Sequence, residues 1–158
     1  MRFVISGVLI ALLSPVALSR PYYMSKAELI RKAQVIAILR ISHVESVEVT
    51  GSEQVYRQSA LATVERVIKG NVPGRVTLYG LQTLEARVEF ALGTYLVFLS
   101  RDGDLLVGTN WHLSLRPINK GKVEWYASNE GYRLKTAQLS AVLKEIESIL
   151  MRQQTSRR

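Results

Sequence analysis

Hydrophobic and polar positions change period three times along the chain. Ser25-Lys26-Ala27-Glu28 has the form of a capping box, in which the serine side chain accepts from the backbone three residues on and the glutamate reaches back. Ala27, Leu29, Ile30 and Ala33 continue it as a short helix, expected to cover one end of the core. From Gln34 to Val49 the period falls to two, with Val35, Ala37, Leu39 and Ile41 on one face. His43 and Glu45 interrupt that face before Val47 and Val49 resume it, so a bend or bulge is expected there. A turn at Gly51-Ser52 leads to a second long strand, Gln54 to Ile68, with small Ala60 and Ala62 on one face, suited to close packing under a helix. The turn cluster Lys69-Gly70-Asn71-Val72-Pro73-Gly74 ends it.

Arg75 to Tyr79 reads as a third strand, and Gly80 to Arg87 as a connection of mixed polarity. Thr94 to Leu99 (TYLVFL) is apolar at nearly every position, the mark of a strand buried on both faces. Arg101-Asp102-Gly103-Asp104 is a hairpin signal, and Asp104 to Val107 returns as the next strand. After a turn at Asn119-Lys120-Gly121-Lys122 comes a last short strand, Val123 to Tyr126. Leu139, Val142, Leu143, Ile146, Ile149 and Leu150 then recur every three or four positions. They predict an amphipathic helix of about 15 residues with Thr136 as its N-cap. Five or six strands between two helices, with no alternating βα units, predict a mainly β fold. It is a small antiparallel barrel of the OB type, with a short N-terminal helix and a longer amphipathic C-terminal one.

The first nineteen residues are an address by pattern. Met1-Arg2 is a positive start, Phe3 to Leu13 carries no charge, and small Ala17 and Ser19 follow Pro15. This layout predicts a secretory signal cleaved between Ser19 and Arg20; the competing reading is a retained membrane anchor. The apolar run is about half the ~20 residues that a bilayer span requires. Residues 20–151 are expected to form one domain and residues 152–158 a disordered basic tail, in a periplasmic or secreted protein. No transmembrane span is expected in the mature chain.

Composition narrows the chemistry. The 158 residues include no cysteine, which excludes disulfide frameworks, thiolate zinc sites, iron–sulfur clusters and cysteine nucleophiles. The net charge of +8 sits mainly at the ends: residues 1–34 carry Arg2, Arg20, Lys26, Arg31 and Lys32 against Glu28, and residues 152–158 carry Arg152, Arg157 and Arg158 with no acid. The body between them holds thirteen basic against twelve acidic side chains, so no basic stripe marks a specific nucleic-acid site. His43 and His112 are the only imidazoles and stand in no metal-binding spacing. No nucleophile elbow, phosphate-binding loop or paired catalytic carboxylates can be selected, and neither a cofactor nor a metal is expected.

The order of segments resembles small exported bacterial proteins related to the netrin/tissue-inhibitor-of-metalloproteinase type of OB-fold barrel. Four stretches carry the resemblance: AELIRKAQVIAILRI (Ala27 to Ile41), ATVERVIKG (Ala62 to Gly70), LGTYLVFL (Leu92 to Leu99) with its Asp-Gly hairpin, and the C-terminal helix. It implies a fold and names no active residue. The metal-chelating N-terminal cysteine of the eukaryotic inhibitors has no counterpart in Arg20-Pro21-Tyr22, so that mechanism does not carry over. Barrels of this type bind on one face and its loops, using aromatic platforms. Thr109 to Arg116 (TNWHLSLR) is the richest polar–aromatic stretch, and Trp111, His112 and Arg116 are its candidate ligand-facing residues. The competing reading is that Trp111 and Trp125 plug the barrel ends.

The expected function is that of an exported, non-enzymatic binding domain of the bacterial cell envelope, with an envelope protein or glycan as partner and no assigned oligomeric state. Two alternatives are an exported peptidase inhibitor presenting Arg20 to Met24 or a barrel rim, and a small hydrolase. The hydrolase requires a cleft with at least two titratable groups within hydrogen-bond reach.

Overall fold

The computed structural model describes residues 24–155 other than 53, 82–89, 111–113, 130 and 132. The helix α1 spans Lys26–Lys32. Ser25 caps it in an extended conformation, its Oγ accepting from the Glu28 amide at 3.3 Å, as the capping box requires. At the other end Lys69 Nζ donates to the Ile30 and Arg31 carbonyls, 2.9 Å each, filling acceptors that a helix terminus leaves open. Gly70 follows with φ of +80°, and a Cβ there would lie 2.2 Å from the Gln34 carbonyl oxygen. Only glycine lets this turn lie so close to the α1 exit.

The strands are β1 (Val35–Thr50), β2 (Val55–Lys69), β3 (Arg75–Leu81), β4 (Gly93–Asp102), β5 (Leu105–Gly108), β6 (Leu115–Pro117), β7 (Lys122–Tyr126) and β8 (Leu134–Gln138), followed by α2 (Leu139–Thr155). Pairing runs β1–β2–β3–β5–β4 and returns from β4 to β1, so the hydrogen-bonded neighbours form a ring of five. The fold is mainly β with a helix at each end of the sequence, the expected class. Every pairing is antiparallel except β3–β5, where Leu78 faces Leu106 and Tyr79 faces Val107 in parallel. An odd number of strands cannot alternate direction all the way round, so one such pair is a topological necessity. β6 extends the β5 edge of β4, and β7 and β8 form a separate hairpin outside the ring.

The bulge expected at the His43/Glu45 interruption is present. Ile41 pairs with Ala62 but His43 with Leu61, so β1 holds one extra residue at Ser42. The bulge swaps which side chains point inward: Val44, on the other parity from Ile41, packs on the interior, while His43 and Glu45 are exposed.

Two cores share β1 and β4 as a common wall. Val35, Ala37, Leu39 and Ile41 of β1 and Tyr95, Val97 and Leu99 of β4 fill the ring, with Ala60, Ala62, Leu78 and Leu106 from the other strands. The intervening Ile36, Ile38, Leu96 and Phe98 face outward, where α1, β7 and α2 cover them. That outer layer explains why TYLVFL is apolar throughout. Ala60 and Ala62 face the ring interior rather than a helix, and α1 covers the outer wall rather than an end of the core.

The C-terminal helix departs from expectation at both ends. Thr136 lies in β8, paired with Glu124, and the helix begins three residues later. It runs through Thr155, so Arg152 to Thr155, read from the sequence as tail, are helical. Val142, Leu143, Ile146 and Ile149 form its buried face, as the spacing predicts. Among the described residues no helix is long and apolar enough to cross a membrane.

Candidate functional site

The first candidate hollow lies where the tip of the β1–β2 hairpin meets the β4–β5 hairpin. Asp102 joins them. Its Oδ1 accepts from the Ser52 amide at 2.8 Å and from the Ser52 hydroxyl, and its Oδ2 accepts from Tyr56 Oη at 2.8 Å. Gly51 permits the approach: a Cβ there would fall 2.0 Å from Asp102 Oδ2 and 2.9 Å from the Tyr56 ring. Tyr79 and Leu81 of β3, Ser100 and Arg101 of β4, Val107 and Gly108 of β5 and Thr109 just after it complete a hollow of about 330 Å³. Ser100 and Thr109 hydroxyls stand 2.8 Å apart on its wall. Among the described residues the surface is mixed: hydroxyls, the Asp102 carboxylate, the Arg101 guanidinium and the half-buried Tyr79 ring.

The second candidate lies in the outer layer. Lys26, on the first turn of α1, is only 5 % exposed, and its Nζ donates to Glu145 Oε1 of α2. The other carboxylate oxygen accepts from Trp125 Nε1 of β7 at 2.7 Å. One carboxylate thus ties three elements together. Burial pushes the Glu145 carboxyl upward, but the hydrogen bonds from Lys26 and Trp125 and the charges of Lys26 and Lys135 outweigh it, and its pKa lies below the ordinary value. Trp125 stacks on Phe98, ring centroids 5.8 Å apart, and meets Tyr126 edge-on at 5.4 Å. Tyr126 Oη donates to the Met24 carbonyl at 3.0 Å, fixing the chain just before α1.

Lys26 and Glu145 are two titratable groups within hydrogen-bond reach, and they line a groove. A general base works best with a pKa near the operating pH, however, and Glu145 is held in the opposite direction. The pair is arranged to keep charge in place.

Of the candidate ligand-facing residues only Arg116 is among those described. Trp111 and His112 lie outside the described residues, as does the proposed Ser19–Arg20 junction. Arg116 is 2 % exposed rather than ligand-facing. It sits across from Leu96 on β6, its guanidinium 5.8 Å from the Trp125 ring and 5.1 Å from the Tyr126 ring. Nη1 donates to the Glu124 carbonyl at 3.4 Å, while Nε and Nη2 have no hydrogen-bond partner among the described residues. Burial lowers its pKa, against the opposing pull of Tyr126 and Glu124. Trp125 is buried as the plug reading expected, but against the outside of the wall rather than in a barrel end.

His43 Nε2 and Glu45 Oε2 are 3.9 Å apart, both side chains more than half exposed, with Glu45 Oε1 also accepting from Ser59 at 3.0 Å. Among the described residues no three His, Cys, Asp or Glu side chains gather as metal ligands do. Sequence reasoning places Asp102 in a hairpin signal and misses its role, and it misses the Lys26–Glu145–Trp125 link. Glu145 had one signal: three residues after Val142 and four before Ile149, it falls on the edge of the apolar stripe. No protein-family model, curated protein or solved structure matches the chain.

Proposed function

We propose that the chain is an exported, non-enzymatic binding domain of the bacterial cell envelope, and that it takes a glycan in the hollow between the β1–β2 turn and the β4–β5 hairpin. The observation that carries this reading is the composition and place of that hollow. Barrels of the OB type bind ligands at the loops joining strands one to two and four to five, together with the face of strands two and three. Ser52, Gln54, Tyr56, Tyr79, Arg101 and Asp102 supply that region here.

The chemistry suits sugar hydroxyls. A pyranose presents a ring of donors and acceptors around an apolar face. Hydroxyls and a carboxylate meet the first, and a tyrosine ring meets the second. A volume of about 330 Å³ is at the small end for a ligand site and fits one or two sugar units. Nucleic acid is a poorer match, because phosphates require several cations and, among the described residues, Arg101 is the one cation that lines the hollow.

The peptidase-inhibitor alternative rests on residues 20–24. Of these only Met24 is described, and its carbonyl is engaged by Tyr126 within the molecule. That favours the hollow over the N-terminal segment as the contact surface.

The test is a titration of isotope-labelled protein with N-acetylglucosamine oligosaccharides and with soluble peptidoglycan fragments. Shifts should concentrate at Tyr56, Tyr79 and Thr109. Tyr79→Ala should weaken binding about tenfold, the ~1.4 kcal/mol of one lost contact. Saturating sugar that leaves these resonances unmoved, or binding that survives Tyr79→Ala unchanged, ends the glycan reading.

A further inference from the structure

Among the described residues, three buried side-chain nitrogens have no hydrogen-bond partner: Asn110 Nδ2, Arg116 Nε and Arg116 Nη2. All three are donors, and both residues belong to the stretch 110–116. Neither lines the barrel-end hollow. A buried donor without an acceptor bears its full desolvation cost, and a charged one bears more, so folded chains leave few of them. Orphans that are all donors and all in one stretch point to one missing acceptor.

The backbone explains why they gather. Thr109 N donates to the Phe98 carbonyl at 3.0 Å, just past β5, while Leu115 and Arg116 of β6 pair with Val97 and Leu96. The chain thus leaves the β4 edge after Thr109 and rejoins it at Leu115. Across the gap the Asn110 amide donates to the hydroxyl of the fully buried Ser114. Asn110 and Arg116 stand at the two feet of this loop, beside nearby positions of one strand.

The Arg116 guanidinium is gripped but not saturated. The Trp125 and Tyr126 rings lie against it, and Nη1 reaches the Glu124 carbonyl. The Glu124 residue is exposed and its carboxylate forms no ion pair with Arg116, and the Tyr126 hydroxyl is committed to the Met24 carbonyl. In a planar guanidinium the Nε–H and one N–H of Nη2 share an edge and point the same way. The unfilled pair is therefore the side-on fork that receives both oxygens of a carboxylate.

We propose that the feet of this loop form a binding site for a small organic carboxylate, taken side-on by Arg116 Nε and Nη2 with Asn110 Nδ2 as a further donor. Such a ligand is an acceptor throughout, and its single negative charge balances one guanidinium. Its hydrocarbon part has Trp125, Tyr126 and the outer apolar layer as neighbours. Phosphate at neutral pH carries more charge than one guanidinium balances. Arg116 faces no open surface, so the occupant is enclosed and its exchange is slow.

The test uses the full chain, dialysed into chloride at neutral pH. Acetate, propionate and benzoate are added as sodium salts at constant ionic strength, with chloride and phosphate as the other arms. Urea unfolding is followed by tryptophan fluorescence. At ten times its Kd a bound carboxylate should raise the folding equilibrium constant about elevenfold. The Arg116 Nε–H resonance should move downfield on binding. Arg116→Met should lose the stabilisation outright. Arg116→Lys keeps the charge without the fork and should weaken binding at least about tenfold, and it carries the test if the methionine variant does not fold. Arg57→Met removes an exposed arginine from the β1–β2 hairpin and should leave affinity within about twofold. Stabilisation that survives both Arg116 variants, or an Nε–H resonance that carboxylates leave unmoved, overturns the proposal. So does phosphate or chloride acting as strongly as every carboxylate. No stabilisation by any of the three carboxylates would assign the orphan donors to internal water and overturn it as well.

Discussion

Removing the Glu145 carboxylate should destabilise the protein far more than removing the lysine it faces. Lys26 is 5 % exposed, and Glu145 is the partner of its ammonium group. In Glu145→Gln the ammonium stays buried while its countercharge is gone, and the amide NH2 turns a donor toward Lys26 or toward the Trp125 N–H. Stranding a buried charge costs about 3–5 kcal/mol when both partners are fully enclosed. The Glu145 side chain is 36 % exposed, so water screens part of the loss, and about 2–3 kcal/mol is the expected cost. Lys26→Met is the opposite case. The methionine keeps an unbranched apolar stem, and the carboxylate retains Trp125 and solvent, so the cost should be about 0–1 kcal/mol. In the double variant no stranded ammonium remains, and a coupling of about 1.5–2 kcal/mol should appear as non-additivity. Urea unfolding at neutral pH, followed by tryptophan fluorescence, measures all three differences. Glu145→Gln alone should also lower Tm by about 5–10 °C. If Lys26→Met costs as much as Glu145→Gln, or the single effects simply add, Lys26 is not a stranded charge and the reasoning fails.

The same carboxylate sets a pH dependence. Its folded pKa lies below its ordinary value of 4.5, so the stability it contributes is complete above that value and disappears as pH falls through the folded one. Urea midpoints measured from neutral to strongly acid pH should therefore drop less steeply on the acid side for Glu145→Gln than for wild type; parallel curves would refute this. Arg116→Met should be neutral within about 1 kcal/mol or stabilising, because a guanidinium with two nitrogens unpartnered among the described residues is exchanged for an apolar chain against the same rings. A loss above about 3 kcal/mol by urea unfolding would show that its cation–π contacts dominate. Asp102→Ala removes the acceptor for Ser52 and Tyr56 and should cost about 2–3 kcal/mol, with hydrogen-exchange protection lost first around residues 51–56. Unchanged protection there would mean that the hairpin tip is held by other contacts.

Strand existence was legible because the period-two signal is local. The bulge at Ser42 was legible for the same reason: two polar residues on an otherwise apolar face force either a change of parity or two buried charges, and the chain takes the first course. TYLVFL announced burial on both faces. It could not say that its odd members would fill a ring while its even members met helices. The parallel β3–β5 contact was invisible because it depends on counting strands around a closed path, not on any residue in them. Thr136 illustrates the limit at boundaries. Threonine serves equally as an N-cap or a strand residue, and the pairing of β8 with β7 decided for the strand. The site fared worse. Asp102 looks identical to Asp104 in the sequence, and only the wrapping of β1 brings Ser52 and Tyr56 to the first of them.

The buried Lys26–Glu145 pair has its origin in the shared wall. β1 and β4 send alternate side chains to two cores, so each covering element must meet an apolar sheet face with an apolar face of its own. α1 has only seven residues, and Leu29 and Ile30 satisfy that demand. Its cations must then lie along its flank, which is where α2 passes. α2 meets the wall with Val142, Leu143, Ile146 and Ile149, and its Arg152 falls on the same flank. The polar flank that the helices share is thus the solvent-side consequence of packing two amphipathic helices on one strip of sheet. Glu145, on the margin of the apolar stripe, neutralises Lys26, the α1 cation that this packing buries.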